Sequence, residues 1–263
     1  GDTLYVPNWG ERLTPSVRVT KCTLNHEWIM DIGGPGTGDG EFSCPGGIAL
    51  DNEENVYVTD QASQKIVVFD KDGTFLSKWG ESGGGEGHLN KPSGIAFDKD
   101  QNLIVVDTHN NRVQKFSKDG AFLSMWGSGG SDDGQLSLPW GISIDGHGDI
   151  YVADWGNDRV QKFSSDGQYL ATFGKPGKGK GELNHPSGVA VDRDGDVYVT
   201  DWGNHRVHVY EPDGGYLATF IGDAMELSPW AQMFVDANPD YARAMARADL
   251  EPTWRLLRPG AIT

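Results

Sequence analysis

Three things are scarce in this chain of 263 residues: cysteine, positive charge and long apolar runs. Two cysteines do not build a disulfide framework. Cys22 and Cys44 read as free thiols, Cys22 acting as a small hydrophobe on a strand. Only 22 Lys and Arg stand against 38 acidic residues, for a formal net charge of −16. A surface of that sign repels phosphate backbones and anionic lipid, so it argues against nucleic acid and leaves cationic or neutral partners. No apolar run is long enough to span a bilayer, and no signal-peptide or other targeting pattern is visible, which fits a soluble protein. The chain opens at Gly1 in mid-pattern, which leaves the compartment open. GxSxG, CxxC, HxH and HExxH are absent, and the glycine-rich stretches lead into strands rather than helices, without the dipole that cradles phosphate.

Glycine is abundant, with 37 residues, and so is repetition. PSGVAVDRDGDVYVTDWGNHRVHVYEPDGGYLATFIG (186–222) reads as four short strands with turns between them. Residues 92–127 and 139–174 repeat it, and 45–80 is a looser copy. The opening prolines, Pro45, Pro92, Pro139 and Pro186, are 47 residues apart. A fixed period of that size built of strand-like pieces predicts an all-β fold, a β-propeller of four-stranded blades. Asp-Gly pairs such as Asp119-Gly120 mark the hairpin turns, and glycine-rich connections join the blades.

The N-terminal stretch matches only the last three strands of a repeat: Leu4 to Asn8, Arg18 to Cys22 and Trp28 to Ile32. At the other end Pro259-Gly260-Ala261-Ile262-Thr263 matches a first strand. The two ends are complementary, which predicts one domain, 1–263, closed by pairing of N- and C-terminal strands. Between the last full repeat and that strand lies 223–258, where Ser228-Pro229-Trp230 and Asn238-Pro239-Asp240 each read as an N-cap with a first-turn proline. This predicts a helical hairpin insertion, on the face of the loops between second and third strands.

The run P-x-G-[IV]-[AS]-x-D, then [ILV]-x-V-x-D-x-x-N-x-R-V, then F-x-x-D-G-x-[FY]-L resembles the NHL repeat. Asn204, His205, Arg206 and Val207 come close to the tripeptide that names it. The resemblance covers most of the chain outside 223–258. It implies a propeller, usually of six blades. Five are recognised here with the composite of the two ends, so the chain is either a five-bladed ring, which the count favours, or a piece of a six-bladed parent.

The most regular polar set is D-x-x-N-x-R: Asp107/Asn110/Arg112, Asp154/Asn157/Arg159 and Asp201/Asn204/Arg206, with Asp60/Ser63/Lys65 a weaker version. Because these residues recur in nearly every blade they read as scaffold, with Asp and Asn bracing turns and Arg clamping the carboxylate. The irregular residues around them carry the functional signal. Trp9, Trp155 and Trp202 follow the turn Asp or Asn, His109 and His205 sit in the same loops, and Trp140 replaces a small residue after a blade-opening proline. Aromatics around a concave mouth predict a binding surface; the alternative for Trp140, Trp155 and Trp202 is packing of blade against blade or beneath the helical hairpin.

The main reading is therefore a non-enzymatic propeller that binds a protein or peptide on the face of these loops and the insertion, and needs no cofactor. The alternative follows from the resemblance, because NHL-like propellers include a metal-dependent lyase. It is a lyase or lactonase with a calcium or zinc ion at the central channel and His109 or His205 as base. No metal site is assigned: the histidines do not converge on one ring, and Asp192 to Asp196 reads as a tight turn rather than a calcium loop. A third reading is a subunit of a larger assembly.

Overall fold

The computed structural model describes residues 3–9, 17–25 and 27–221. Five antiparallel blades follow one another along the chain. Blade 1 has three strands, Thr3–Asn8, Arg18–Thr23 and Trp28–Ile32. Blade 2 has four, Pro45–Leu50, Val56–Asp60, Lys65–Phe69 and Phe75–Trp79. Blade 3 comprises Pro92–Phe97, Leu103–Asp107, Arg112–Phe116 and Phe122–Trp126. Blade 4 comprises Ile142–Ile144, Ile150–Asp154, Arg159–Phe163 and Tyr169–Phe173. Blade 5 comprises Pro186–Val191, Val197–Asp201, Arg206–Tyr210 and Tyr216–Phe220. The expected helical hairpin, 223–258, and the expected closing strand, 259–263, lie outside the described residues.

The first strand of blade 4 departs from expectation. It begins at Ile142 rather than after Pro139. Trp140 and Gly141 still bond the second strand, through Trp140 N–H to Ala153 O at 2.8 Å and Ala153 N–H to Gly141 O at 2.9 Å. These bonds extend the pairing as an irregular stretch rather than a regular ladder.

In blades 2 to 4 the second strands are buried on both faces, which is why they read as unbroken apolar runs; all of Val56–Asp60, Leu103–Asp107 and Ile150–Asp154 is buried. The core is a series of slabs between blades rather than one central mass. Val19 and Ile32 of blade 1 meet Val56, Val58 and Phe69 of blade 2. Tyr57, Ile66 and Val68 then meet Leu103, Val105 and Phe116 of blade 3. The pattern continues from blade 3 to 4 and from 4 to 5. Trp79, at the end of an outer strand, lies over Phe116 of the next blade with ring centroids 5.1 Å apart, and Trp126 over Phe163 at 6.4 Å. Cys22 shares the register of Phe69, but the expected core position is only half-buried. It lies on the side of blade 1 turned away from blade 2.

Inner strands run so close together that glycine is required at one register. A Cβ on Gly94 would lie 2.6 Å from Trp140 O, and one on Gly47 2.4 Å from Ser93 O. The approach lets Gly94 N–H donate to Trp140 O at 2.9 Å, tying blade 3 to blade 4. Gly94→Ala is expected to cost roughly 1–3 kcal/mol through overpacking, read as a lowered thermal midpoint; an unchanged midpoint would show that the inner strands can separate without loss.

Candidate binding face

In blades 2 to 5 the second strand ends in a buried aspartate, Asp60, Asp107, Asp154 or Asp201, that organises the loop beyond it. Asp107 Oδ1 accepts the backbone N–H of Asn90 at 2.6 Å. Its Oδ2 accepts from Asn110 Nδ2, Arg112 Nε and Gln114 Nε2 at 2.8, 2.8 and 3.0 Å. Arg112 spends its other donors on carbonyls of the connection entering the blade, those of Gly84, Gly85 and His88. Asp154 with Asn157 and Arg159, and Asp201 with Asn204 and Arg206, repeat the Asp–Asn–Arg set at 2.7–2.8 Å. In blade 2 Asp60 accepts from the backbone N–H groups of Ser43 and Cys44 at 2.8 and 2.9 Å, while Lys65 reaches Gly80 O instead. These donors reach the carboxylate and the carbonyls of the connection, so the motif is a structural knot. The fourth member of the knot, Gln114 or Gln161, is missed by a D-x-x-N-x-R reading. Its signal in the sequence is the repeated Arg-Val-Gln-Lys-Phe.

Between Asp and Arg the chain makes one 3₁₀ turn, Thr108–Asn110, Trp155–Asn157 or Trp202–Asn204. A left-handed residue closes each turn: Asn111 at φ 52°, Asp158 at 54° and His205 at 56°. His205 is thus in the loop, as expected, and the strand starts at Arg206. Asn111 and Asp158 have a second task. Asn111 Oδ1 accepts Leu138 N–H at 2.8 Å and Asp158 Oδ1 accepts His185 N–H at 2.6 Å, each residue just before the next blade's opening proline. Gln64 does the same for Lys91.

The irregular residues sit around these knots. Trp9 is 55 % exposed just after the first strand of blade 1. His109 is exposed on its turn, where partial desolvation and the Lys91 charge hold its pKa below the usual histidine range against the pull of Asp107. Trp155 is half-buried and lies on His185, ring centroids 4.0 Å apart, so this tryptophan spans two blades. Trp202, His205 and Trp140 are half-buried. Backbone bonds set the turns beside the blade-opening segments, His109 N–H on Asn90 O, Gly156 N–H on Ser137 O and Gly203 N–H on Asn184 O. His185 belongs to this neighbourhood and escapes a reading by loop, because it comes from the connection 27 residues further on. An open cleft of about 470 Å³ lies beside Asp158, lined by Ser131, Asn157, Arg159, Thr172 and Lys175 among others. No three His, Cys, Asp or Glu side chains converge as a metal-holding group among the described residues.

The opposite face is built of acidic turns. Asp98 Oδ1 accepts the N–H groups of Asp100 and Asn102 at 2.9 and 2.8 Å, and Asp51, Asp145 and Asp192 do likewise in their blades. Lysines answer three of them: Lys118 lies 2.8 Å from Asp51, Lys115 2.7 Å from Asp98, and Lys162 3.6 Å from Asp145. The turn 192–196 is the expected tight turn between first and second strands.

A family model described as NHL repeat matches residues 89–116, 136–163 and 183–210. Protein lin-41 of Caenorhabditis elegans is 44 % identical over 50 residues, which are 19 % of this chain and 4 % of lin-41. Among solved structures, a streptogramin B lyase superposes with a TM-score of 0.59 at 14 % identity, over 77 % of this chain and 61 % of the lyase. A chain of the nidogen/laminin complex superposes with 0.62 at 21 % identity, over 83 % of this chain and 75 % of that one. At these identities the likeness is one of fold.

Removing a knot carboxylate strands its arginine. Asp154→Ala leaves the Arg159 guanidinium, side chain 12 % exposed, without its ion-pair partner. The expected cost is about 3–5 kcal/mol, read from chemical denaturation; a loss below about 1 kcal/mol, the level of a surface pair, would show that the connection carbonyls hold Arg159 alone.

Proposed function

We propose that this chain, which carries NHL repeats in a propeller of antiparallel blades, binds a protein or peptide on the face of its 3₁₀ turns and catalyses no reaction there. One observation carries the reading. Residues that recur on this face are spent on the fold, whereas those that vary from blade to blade (Trp9, His109, Trp140, Trp155, Trp202 and His205) keep accessible surface. Aromatic rings held by a stiff frame offer large contact area at small entropic cost, which is the composition of binding hot spots. Trp155 is preorganised by His185, so little ordering remains to be done when a partner arrives. Propellers of this shape include both a lyase and a chain of a laminin complex, so fold alone favours neither catalysis nor binding. Service as a subunit of a larger assembly would use the same surface.

Peptides selected on the immobilised protein from a random displayed library test this. The double variant Trp140→Ala/Trp155→Ala is expected to weaken the selected peptides at least about tenfold, in line with aromatic hot spots, with the β circular-dichroism signal retained. Unchanged affinity would remove this face from the proposal. Metal content by mass spectrometry, on protein purified without chelators, tests the enzymatic alternative. About one tightly held calcium or zinc per chain would favour a lyase or lactonase, with turnover then expected to fall on His109→Ala.

A further inference from the structure

One buried position of the knot differs between blades. In blades 3 and 4 the third residue of the third strand is glutamine, Gln114 and Gln161, both fully buried. Gln114 Nε2 reaches Asp107 Oδ2 at 3.0 Å and His88 O at 2.7 Å, and its Oε1 accepts Gly87 N–H at 3.0 Å. Gln161 makes the equivalent three bonds. In blade 5 the residue is His208, also 0 % exposed. Its Nδ1 meets Thr219 Oγ1 at 2.7 Å. Its Nε2 stops 3.9 Å from Asp201 Oδ2 and has no hydrogen-bond partner.

We infer that His208 makes blade 5 acid-sensitive, because a proton on this imidazole places an unmatched charge inside its sheet. Four charged or titratable side chains face the ring. Asp201 comes from the second strand, Arg206 and Tyr210 from the third, and Tyr216 from the outer strand. Glu182, from the incoming connection, presents only its backbone; its carboxylate is turned to Gly179 N–H and Lys175. Asp201 is already matched by Arg206 at 2.7 Å, so a second cation has no carboxylate of its own. Burial first, and Arg206 second, hold His208 below the usual histidine range, against the pull of Asp201 and of the Ala218 and Glu182 backbones.

The sign follows from linkage. Unfolded blade takes up a proton near pH 6.5, where the folded blade still refuses it. The contribution of neutral His208 is therefore full above about pH 6.5 and is lost as pH falls below that value. Blade 5 also carries Trp202. Release of a partner in acid would rest on the function proposed above, whereas opening of the blade does not.

Hydrogen exchange over residues 197–220, in wild type and His208→Gln at about pH 7.5, 6.5 and 5.5, tests this around the ordinary histidine pKa. Glutamine is the residue of blades 3 and 4, and comparison at equal pH cancels intrinsic exchange chemistry. The ratio of wild-type to variant opening is expected to rise with acid, by up to about tenfold per pH unit below 6.5, while residues 103–126 of blade 3 keep a constant ratio. A ratio in blade 5 that does not change with pH overturns the inference. NMR titration of the His208 ring needs no variant: a midpoint below about 6.5 is expected, and one at or above it overturns the inference.

Discussion

A carboxylate buried at the end of the second strand in blades 2 to 5 is what the rest of the propeller depends on. Asp107, Asp154 and Asp201 are each 0 % exposed, and each gathers an Asn, an Arg and a backbone N–H of the connection arriving from the previous blade. A buried charge is tolerated only where partners surround it. The fold meets that demand with donors from two different parts of the chain. One electrostatic requirement therefore fixes the loop, seats the connection and sets the start of the blade. The left-handed residues Asn111 and Asp158 carry the coupling onward, because their side chains hold the residue before the next proline.

This economy divides the molecule into a regular frame and an irregular face. Arg112, Arg159 and Arg206 are turned inward to backbone carbonyls, and each Asn gives its Nδ2 to the neighbouring Asp and to a connection carbonyl. What varies can then vary freely, since a tryptophan or histidine on the 3₁₀ turn disturbs none of those bonds. The opposite face follows another rule. Its aspartates brace tight turns through backbone N–H groups, so the acidity of the chain gathers there partly for conformational reasons. A repeat that tolerates change at solvent positions also admits it at buried ones, among them His208, where the altered hydrogen-bonding pattern leaves Nε2 unmatched.

Much of this was legible in order of residues. The 47-residue period, the alternation of apolar strands with Asp-Gly turns and the D-x-x-N-x-R run led to the four-stranded blades that the structure shows, as in blade 3 within 92–127. The scaffold reading of Asp107 and Arg112 also holds in detail. Harder to read were features that depend on a neighbour distant in sequence. His185 joins Trp155 only because the connection returns over the turn. Blade 4's inner strand starts late although its proline is in register. The close approach of the inner strands, which leaves no room for a Cβ at Gly47, Gly94 and Gly141, was likewise invisible in the order of residues.

The sequence by itself determined the all-β class, the repeat and its period, and which polar residues belong to the frame, because these rest on local chemistry: strand propensity, turn formation and short-range pairing. Only the tertiary structure decided which donors meet each carboxylate, which aromatics span two blades and which keep their surface. It also decided that His208 is buried with Nε2 unpartnered, while His205, three residues away, sits half-exposed in a left-handed turn. Burial and pairing are properties of the space between blades, and no single repeat contains that space.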